Sequence, residues 1–216
     1  MDFSKLQFFV LKPGEFKQNA WLINSAFEHW NQVWGNTLKE LDGLSELHSD
    51  DFTRQDEIFC LFSEEKCIGM ICHRLVDLRY TCHHTDSYFK SWTPEAMKEL
   101  TRYGTKILIG SQISVDPDWR GKTGGYGLKE VLSAFSLDSL FARNDIDAIT
   151  GTMRADRGMH NLFYEFGAKA LKRGVSFHGV MVDLVAFYPR QRDLKIPADL
   201  RAVMDQLAAA KIKKAA

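Results

Sequence analysis

Apolar positions along this chain switch repeatedly between short continuous runs and a helical period. Leu6 to Leu11 is an apolar run closed by Pro13-Gly14, and it reads as a first strand. From Glu15 to Leu41 the spacing turns helical, with Trp21, Ile23, Phe27, Trp30 and Trp34 as apolar positions; Gly35 is expected to divide the segment into two helices. Glu57 to Phe62 and Cys67 to Val76 read as strands joined by the polar turn Ser63-Glu64-Glu65-Lys66. Arg79 to Gly104 breaks the rhythm. It is polar and aromatic, with a short helix opening at Thr93-Pro94-Glu95, where Thr93 can cap and Pro94 suits the first turn. A strand over Thr105 to Val115 follows, then an amphipathic helix over Gly125 to Phe141 with Leu128, Val131, Leu132, Phe135 and Phe141 on one face. Ile146 to Met153 is a strand, Gly158 to Phe166 a short helix, and Val175 to Phe187 one or two strands ended by Pro189. Asp199 to Lys213 is a helical tail ending in Lys211, Lys213 and Lys214. This order predicts an α/β fold: a mixed sheet with helices on its faces. It fits a single domain over 1–216, with 79–104 as an insert and 199–216 as a C-terminal tail.

Composition narrows the partners. Lys plus Arg and Asp plus Glu both number 28, so the formal net charge is zero. That balance argues against nucleic acid or an anionic membrane as the main partner. No apolar run is long enough for a membrane span, and Met1-Asp2-Phe3-Ser4-Lys5 lacks a signal-peptide pattern. Cys60, Cys67, Cys72 and Cys82 sit in strand-like apolar surroundings without zinc-site spacing, which predicts buried reduced thiols in a cytoplasmic protein. The helical tail could pack on its own domain or on a partner, so a homodimer stays open.

The stretch Gln112 to Leu132 carries the chemistry. A strand ends at Asp116-Pro117, an Arg- and Gly-rich turn follows, and a helix opens after it. Backbone N–H groups and a helix N-terminus then converge on one spot, as a phosphate requires. Gly121, Gly124, Gly125 and Gly127 would let the backbone approach closely, and Arg120 and Lys122 would add charge-assisted bonds. Two rival motifs fail: a P-loop needs Gly five residues before Gly121, where Asp116 stands, and a dinucleotide fingerprint fails because Leu-Lys-Glu follows Gly125-Tyr-Gly127. A glycine-rich turn that binds nothing is the bland alternative.

Val115-Asp-Pro-Asp-Trp-Arg-Gly-Lys and Gly125-Tyr-Gly-Leu-Lys-Glu-Val-Leu resemble the acyl-CoA signature of the GNAT N-acyltransferase superfamily, of the form R/Q-x-x-G-x-G/A between a splayed strand and a helix. Phe163-Tyr-Glu-Phe-Gly-Ala168 resembles the later motif of that family, and Gly69 stands where its third strand often has Gly. The resemblance spans about Glu57 to Phe187. It implies acyl-CoA, acetyl-CoA above all, as co-substrate, a primary amine on a small molecule or protein as acceptor, and no metal. It implies pantetheine and diphosphate binding by Ile113, Ser114, Val115, Arg120, Gly121, Lys122, Thr123, Gly124, Gly125, Tyr126 and Gly127. Three departures stand out. The loop has four residues between Arg120 and Gly125, or three if Gly124 is its first glycine, where the pattern has two, and counting from Lys122 restores the spacing with Lys in the Arg/Gln place; the position of the usual Tyr acid, four before Gly167, is Phe163; and the position of the family's Asn is Asp156. Tyr164, one place off, is the candidate general acid or an ordinary packing residue.

An amine nucleophile must lose a proton, and Glu57, His73, Asp77 and His178 are the candidate bases on strand-like segments. Cys82-His83-His84-Thr85-Asp86 could suggest a metal, but a solvated loop is the expectation. The insert carries Tyr80, Tyr88, Phe89, Trp92 and Tyr103, too aromatic for plain disorder, and its bland reading is a lid packed on the sheet edge. Asp50-Asp-Phe-Thr-Arg-Gln-Asp-Glu-Ile-Phe, Cys72-His-Arg-Leu-Val and the long insert are also similar to acyl-homoserine lactone and N-acyl amino acid synthases. That resemblance implies long acyl chains delivered by acyl carrier protein. Glu99-Leu-Thr-Arg102, the nearest match to their strand motif, precedes the predicted strand. A non-catalytic acyl-CoA-binding domain is the third possibility.

Overall fold

In the computed structural model residues 5–15, 19–43, 48–121, 125–177 and 179–215 are described, the side chains of 41, 42 and 208–215 excepted. The chain runs β1 (Leu6–Leu11), α1 (Ala20–Asp42), α2 (Asp50–Thr53), β2 (Glu57–Ser63), β3 (Lys66–Asp77), α3 (Thr81–His84), α4 (Pro94–Leu100), β4 (Lys106–Val115), α5 (Leu128–Phe141), β5 (Ala148–Arg154), α6 (Met159–Glu165), β6 (Lys169–Phe177), β7 (Val180–Phe187) and α7 (Ala198–Ala215). The mixed sheet has the strand order β1-β2-β3-β4-β5-β7-β6. β1, β2 and β3 pair antiparallel, β4 and β5 parallel, and β5, β7 and β6 antiparallel. No described helix is long and apolar enough to cross a membrane.

The predicted elements are present, with two differences. α1 runs unbroken through Gly35. A glycine inside a helix costs only about 1 kcal/mol, and Trp30 and Trp34 anchor the turn before it. The helix ends instead at Gly43, whose left-handed backbone (φ 66°) suits a C-cap and whose N–H reaches the Lys39 carbonyl at 3.2 Å. The last strand pair is a hairpin in which β6 starts at Lys169, six residues ahead of the expected Val175. β6 carries exposed polar positions and two register shifts, so it lacks the alternation that marks a strand.

The chain forms two compact units: Met1–His73 with Gln112–Ser136 and Ile196–Ala216, and Arg74–Ser111 with Leu137–Lys195. In the first, both faces of the sheet are covered. Ile58, Cys60 and Phe62 of β2 pack with Cys67, Met70 and Cys72 of β3 against Ala26 and Trp30 of α1 and Phe52 of α2. The alternate residues face α5: Phe8 lies 4.1 Å from Phe135 ring to ring, and a Cβ on Gly69 would lie 3.8 Å from Leu132. Two covered faces explain why β2 reads as an unbroken apolar run.

In the second unit the insert forms the layer over one face of the strands, not a lid at their edge. Phe89, Trp92, Ala96 and Leu100 pack on Val76, Ile107, Ile109, Ala148, Leu184 and Ala186. Phe141 and Phe163 meet Phe187 on the other face, with centroids 5.9 and 6.0 Å away. The insert is fastened by Asp86, which takes Arg74 Nη1 and Nη2 at 2.6 and 2.7 Å in a half-buried bidentate pair. Thr93 caps α4 as predicted, accepting Ala96 N–H at 3.4 Å. One thiol departs from expectation: Cys60, Cys67 and Cys72 are buried, but Cys82 is exposed on α3.

Candidate active site

The site grows out of the end of β4. Ile107, Leu108 and Ile109 are buried, and the chain then turns polar at Gly110-Ser111-Gln112. Among the described residues the ladder with β5 stops there, at Gly110 opposite Gly151. Two residues on, Gln112 has φ 51°, a left-handed conformation that costs an L side chain free energy unless its surroundings hold it. Two indoles supply that hold. Trp30 Nε1 donates to Gln112 Oε1 at 2.8 Å and Trp34 Nε1 to the Gln112 carbonyl at 3.1 Å. The four-residue spacing of these tryptophans on α1 puts both N–H groups on one helix face.

One position before Trp30, His29 Nε2 lies 3.0 Å from Ser114 Oγ, and both residues are buried. Burial pushes the His29 pKa down to about 4; Lys66 and Arg120 act in the same direction, while Asp116 and the Ser114 bond oppose them. The imidazole is therefore neutral near pH 7, and the Ser114 hydroxyl is engaged with it. Asp116 closes the strand. Its N–H donates to Ile68 O at 2.9 Å, its Oδ1 accepts Asp118 N–H at 3.0 Å, and its Oδ2 pairs with Lys66 Nζ at 2.7 Å. Burial alone would raise this carboxyl; Lys66 and the Asp118 amide outweigh it and lower it.

A single 3-10 turn, Pro117–Trp119, leads to Arg120, whose Nε donates back to Val115 O at 3.1 Å. Lys122, Thr123 and Gly124 lie outside the described residues. Gly125 has φ 91°, open to glycine and strained for other residues. The Tyr126 hydroxyl donates to Asp199 Oδ1 at 2.7 Å, at the first turn of α7. Gly127 N–H donates to Glu130 Oε2 at 3.0 Å, and Val131 N–H bonds Gly127 O at 3.3 Å as α5 begins. Ile113, Ser114, Val115, Arg120, Gly121, Gly125, Tyr126 and Gly127 are thus gathered in the first unit along one strand–turn–helix passage.

Tyr164 belongs to the second unit, on α6. Its hydroxyl donates to Asp183 Oδ2 at 2.6 Å, and Asp183 Oδ1 accepts Gly174 N–H at 2.9 Å. Burial, then the Asp183 carboxylate, pushes the tyrosine up to about 12, while Arg173 above its ring opposes this. The candidate bases fare unevenly. His73 is 1% exposed, with Nε2 beside Ser136 Oγ at 3.1 Å, and is a core residue. Asp77 accepts Arg79 Nε, Nη2 and N–H and the Thr105 hydroxyl, and the Arg79 bonds hold it far below the usual carboxylate range. Such a carboxylate is a poor proton acceptor. Glu57 opens β2 opposite His73, and His178 lies outside the described residues. The Cys82–Asp86 segment is solvated as expected, with Cys82, His84 and Thr85 exposed, but it begins as a helical turn and is tied down: His84 Nε2 meets Leu78 O at 2.6 Å, Asp77 N–H donates to His83 Nδ1 at 2.9 Å, and Asp86 is taken by Arg74. Among the described residues no three His, Cys, Asp or Glu side chains gather as a metal set.

No family model matches the sequence, and no curated protein matches it. Solved structures do match. FeeM, an N-acyl amino acid synthase from uncultured soil microbes, superposes with a TM-score of 0.57 at 15% identity over 86% of this chain and 91% of its own. BjaI, a CoA-dependent acyl-homoserine lactone synthase with SAM and isopentyl-CoA, gives 0.57 at 15% identity over 94% and 90%. The fold is that of the GNAT acyltransferases. Arabidopsis thaliana NAA60 in complex with acetyl-CoA shares it as well, at 0.57 and 12% identity over 85% of this chain and 99% of that one. Identities this low speak to the GNAT fold alone.

Several site residues escape the sequence. Trp30 and Trp34 read as core positions, and nothing in the sequence marks Gln112 as a bulge or pairs His29 with Ser114 across 85 residues. Gly127-x-x-Glu130 could have been found, because a Glu at the third helical position reaching back to the cap amide is half of a capping box.

Proposed function

We propose that the protein is an N-acyltransferase that moves an acetyl or other short acyl group from acyl-CoA to a primary amine by direct attack on the thioester. One observation carries the reading: β4 leaves its ladder at Gly110, is bent at Gln112 by two indole N–H groups, and runs straight into a turn and the N-terminus of a 14-residue helix. In this reading the strand end would offer backbone groups to a pantetheine arm and to the thioester carbonyl oxygen, and the start of α5 would offer amides to a diphosphate. The amine nitrogen attacks the carbonyl carbon, the C–S bond breaks, and the thiolate leaves. A thiol of pKa about 8.5 leaves without an obligatory acid. Tyr164 is the candidate donor because its hydroxyl is protonated at neutral pH; its proton is now committed to Asp183. The amine proton passes to water or to a base not yet assigned.

Calorimetric titration with acetyl-CoA and CoA tests the site first, and an absence of binding at millimolar concentration rejects it. Gly127→Phe should abolish that binding, since the added ring would fill the space Glu130 now borders. Tyr164→Phe should lower kcat by up to about a hundredfold at unchanged CoA affinity; an unchanged kcat with a lower Tm would make Tyr164 a packing residue.

A second reading is motivated by the insert between β3 and β4 and by the fold shared with FeeM, an N-acyl amino acid synthase: a long-chain N-acyl amino acid or acyl-homoserine lactone-type synthase using acyl carrier protein. A panel of acyl-CoA lengths and acylated carrier protein separates the two by the chain length with the highest kcat/KM. CoA binding without transfer to any amine in a broad panel would leave a non-catalytic binding domain.

A further inference from the structure

We propose that Asp183 positions Tyr164 as a two-way proton carrier, which takes a proton from the attacking amine and returns it to the departing sulfur. The inference rests on the acyl-transfer reading, with Tyr164 at the reacting atoms. Its ground is a bulge in the second unit. β6 and β7 pair Lys172 with Leu184 and Val175 with Val182, so Arg173 and Gly174 together stand opposite Asp183 alone. Bulges re-aim side chains, and both residues of this one turn to the same pair. Gly174, at φ 65°, gives its N–H to Asp183 Oδ1 at 2.9 Å. Arg173 sets its guanidinium 4.9 Å from the centre of the Tyr164 ring. The remaining carboxylate oxygen, Oδ2, accepts the Tyr164 hydroxyl at 2.6 Å. Asp183 is buried and Tyr164 half-buried, so the phenol is the side of the pair that a substrate can reach.

An amide partner keeps its proton, whereas a phenol can pass one on. The Tyr164 proton points at Asp183, which leaves the lone pairs of the phenolic oxygen as acceptors. As the N–C bond forms, the amine nitrogen becomes acidic. Its proton moves to the Tyr164 oxygen while the Tyr164 proton moves to Asp183 Oδ2, so no free tyrosinate arises. When the C–S bond breaks, Tyr164 gives its proton to the sulfur and takes one back from Asp183. The products are the amide and the thiol, and the pair is back in its starting state. Among the described residues the charged and titratable groups set against Tyr164 are Asp183 of β7, Arg173 of β6 and His160 of its own helix, whose ring lies 6.0 Å away between centroids. Burial and the Asp183 carboxylate keep the hydroxyl protonated between turnovers, as the cycle needs.

The experiment measures transfer from acetyl-CoA to a broad panel of primary amines, benzylamine, putrescine and lysine among them, and carries the best acceptor forward. The full-length protein is compared with Tyr164→Phe, Asp183→Asn and the double variant. Asparagine keeps an acceptor for the Gly174 amide and for the phenol but cannot take the proton. Asp183→Asn should lower kcat by about tenfold to a hundredfold at unchanged KM for acetyl-CoA. Tyr164→Phe should match it, and the double variant should fall no further, because the two residues act as a unit. Rates in mixtures of light and heavy water count the moving protons: kcat of the parent should depend on deuterium content along a curve, and kcat of Tyr164→Phe should not. A tyrosine that only donates to sulfur would be released by Asp183→Asn, so a kcat that holds or rises overturns the proposal and leaves the transferase reading standing. A straight or flat isotope dependence in the parent overturns it in the same way, and this decides the matter if Asp183→Asn does not fold. No transfer by the parent to any amine removes the proposal together with the transferase reading.

Discussion

Gly104 in the second unit and Gly127 in the first each face a carboxylate, and the two carboxylates are held very differently. Asp147 beside Gly104 is 8% exposed and accepts Lys106 N–H at 3.1 Å and Arg190 Nη2 at 2.7 Å, while its own N–H bonds Lys106 O at 2.8 Å. Glu130 beside Gly127 accepts one amide among the described residues, at the tip of a flexible side chain, with Lys129 Nζ 3.9 Å from its other oxygen. Gly104 also sits at φ 148°, where L side chains rarely go, and Gly127 does not. A carboxylate with several fixed partners serves the fold. One that accepts a single amide among the described residues, through the far end of a movable side chain, can give way.

The sharpest test of that contrast is Gly104→Ala. The new methyl would overlap the Asp147 carboxylate and force it off Arg190 and Lys106. A loss of about 3 kcal/mol or more in urea unfolding is expected, with CoA affinity unchanged. A loss under about 1 kcal/mol would mean Asp147 is as movable as Glu130.

Gln112 extends the comparison to a strained residue with fixed partners. Gln112→Val puts a β-branched side chain at φ 51° and removes the acceptor of Trp30 Nε1, so about 2–3 kcal/mol should be lost. Gln112→Gly relieves the backbone and keeps the carbonyl that Trp34 uses, so it should cost about 1 kcal/mol. Equal costs for the two would show that the indoles, and not the backbone, carry the energy at this bulge.

What the sequence reveals here follows the same division. Elements covered on both faces were legible: β2, β3 and the apolar half of β4 show it as unbroken runs, and the start of α4 was legible in its Thr-Pro cap. The strand–turn–helix passage was legible because glycines and Asp-Pro mark turns wherever they occur. The polar groups that tie the passage down were not. His29 with Ser114 and Trp30 with Gln112 join segments more than 80 residues apart, and no local spacing encodes such pairs. The edge strand β6 was half-missed for a related reason, since one side of it faces water and its bulges break the period. Gly35 misled because propensity is a weak prior once neighbouring tryptophans are anchored.

On α1, His29 gives a pH-dependent test. Folded His29 titrates near 4 against an ordinary 6.5, because burial disfavours its charged form. Between these values the unfolded chain binds a proton that the folded chain refuses, so stability falls as pH drops from about 6.5 towards 4. By pH 5 the loss should reach about 2 kcal/mol, read as the change in urea unfolding between pH 7 and pH 5. His29→Gln should remove most of that slope. Asp116, held low by Lys66, adds its own loss only at lower pH, as its carboxyl protonates. A slope unchanged in His29→Gln would place the acid-sensitive group elsewhere.

The smallest expected effect on the fold is at Gly127. In Gly127→Ala the new methyl would crowd Glu130 Oε2 at 3.0 Å, but that atom is the far end of a movable side chain. Losing the cap would cost about 0.5–1 kcal/mol, and replacing glycine by alanine at an unstrained position returns about 0.4–1 kcal/mol through the unfolded chain. Net stability should therefore stay within about 0.5 kcal/mol of the parent. A stability loss above about 2 kcal/mol would mean Glu130 is as immobile as Asp147. The distinction between the two glycines would then disappear.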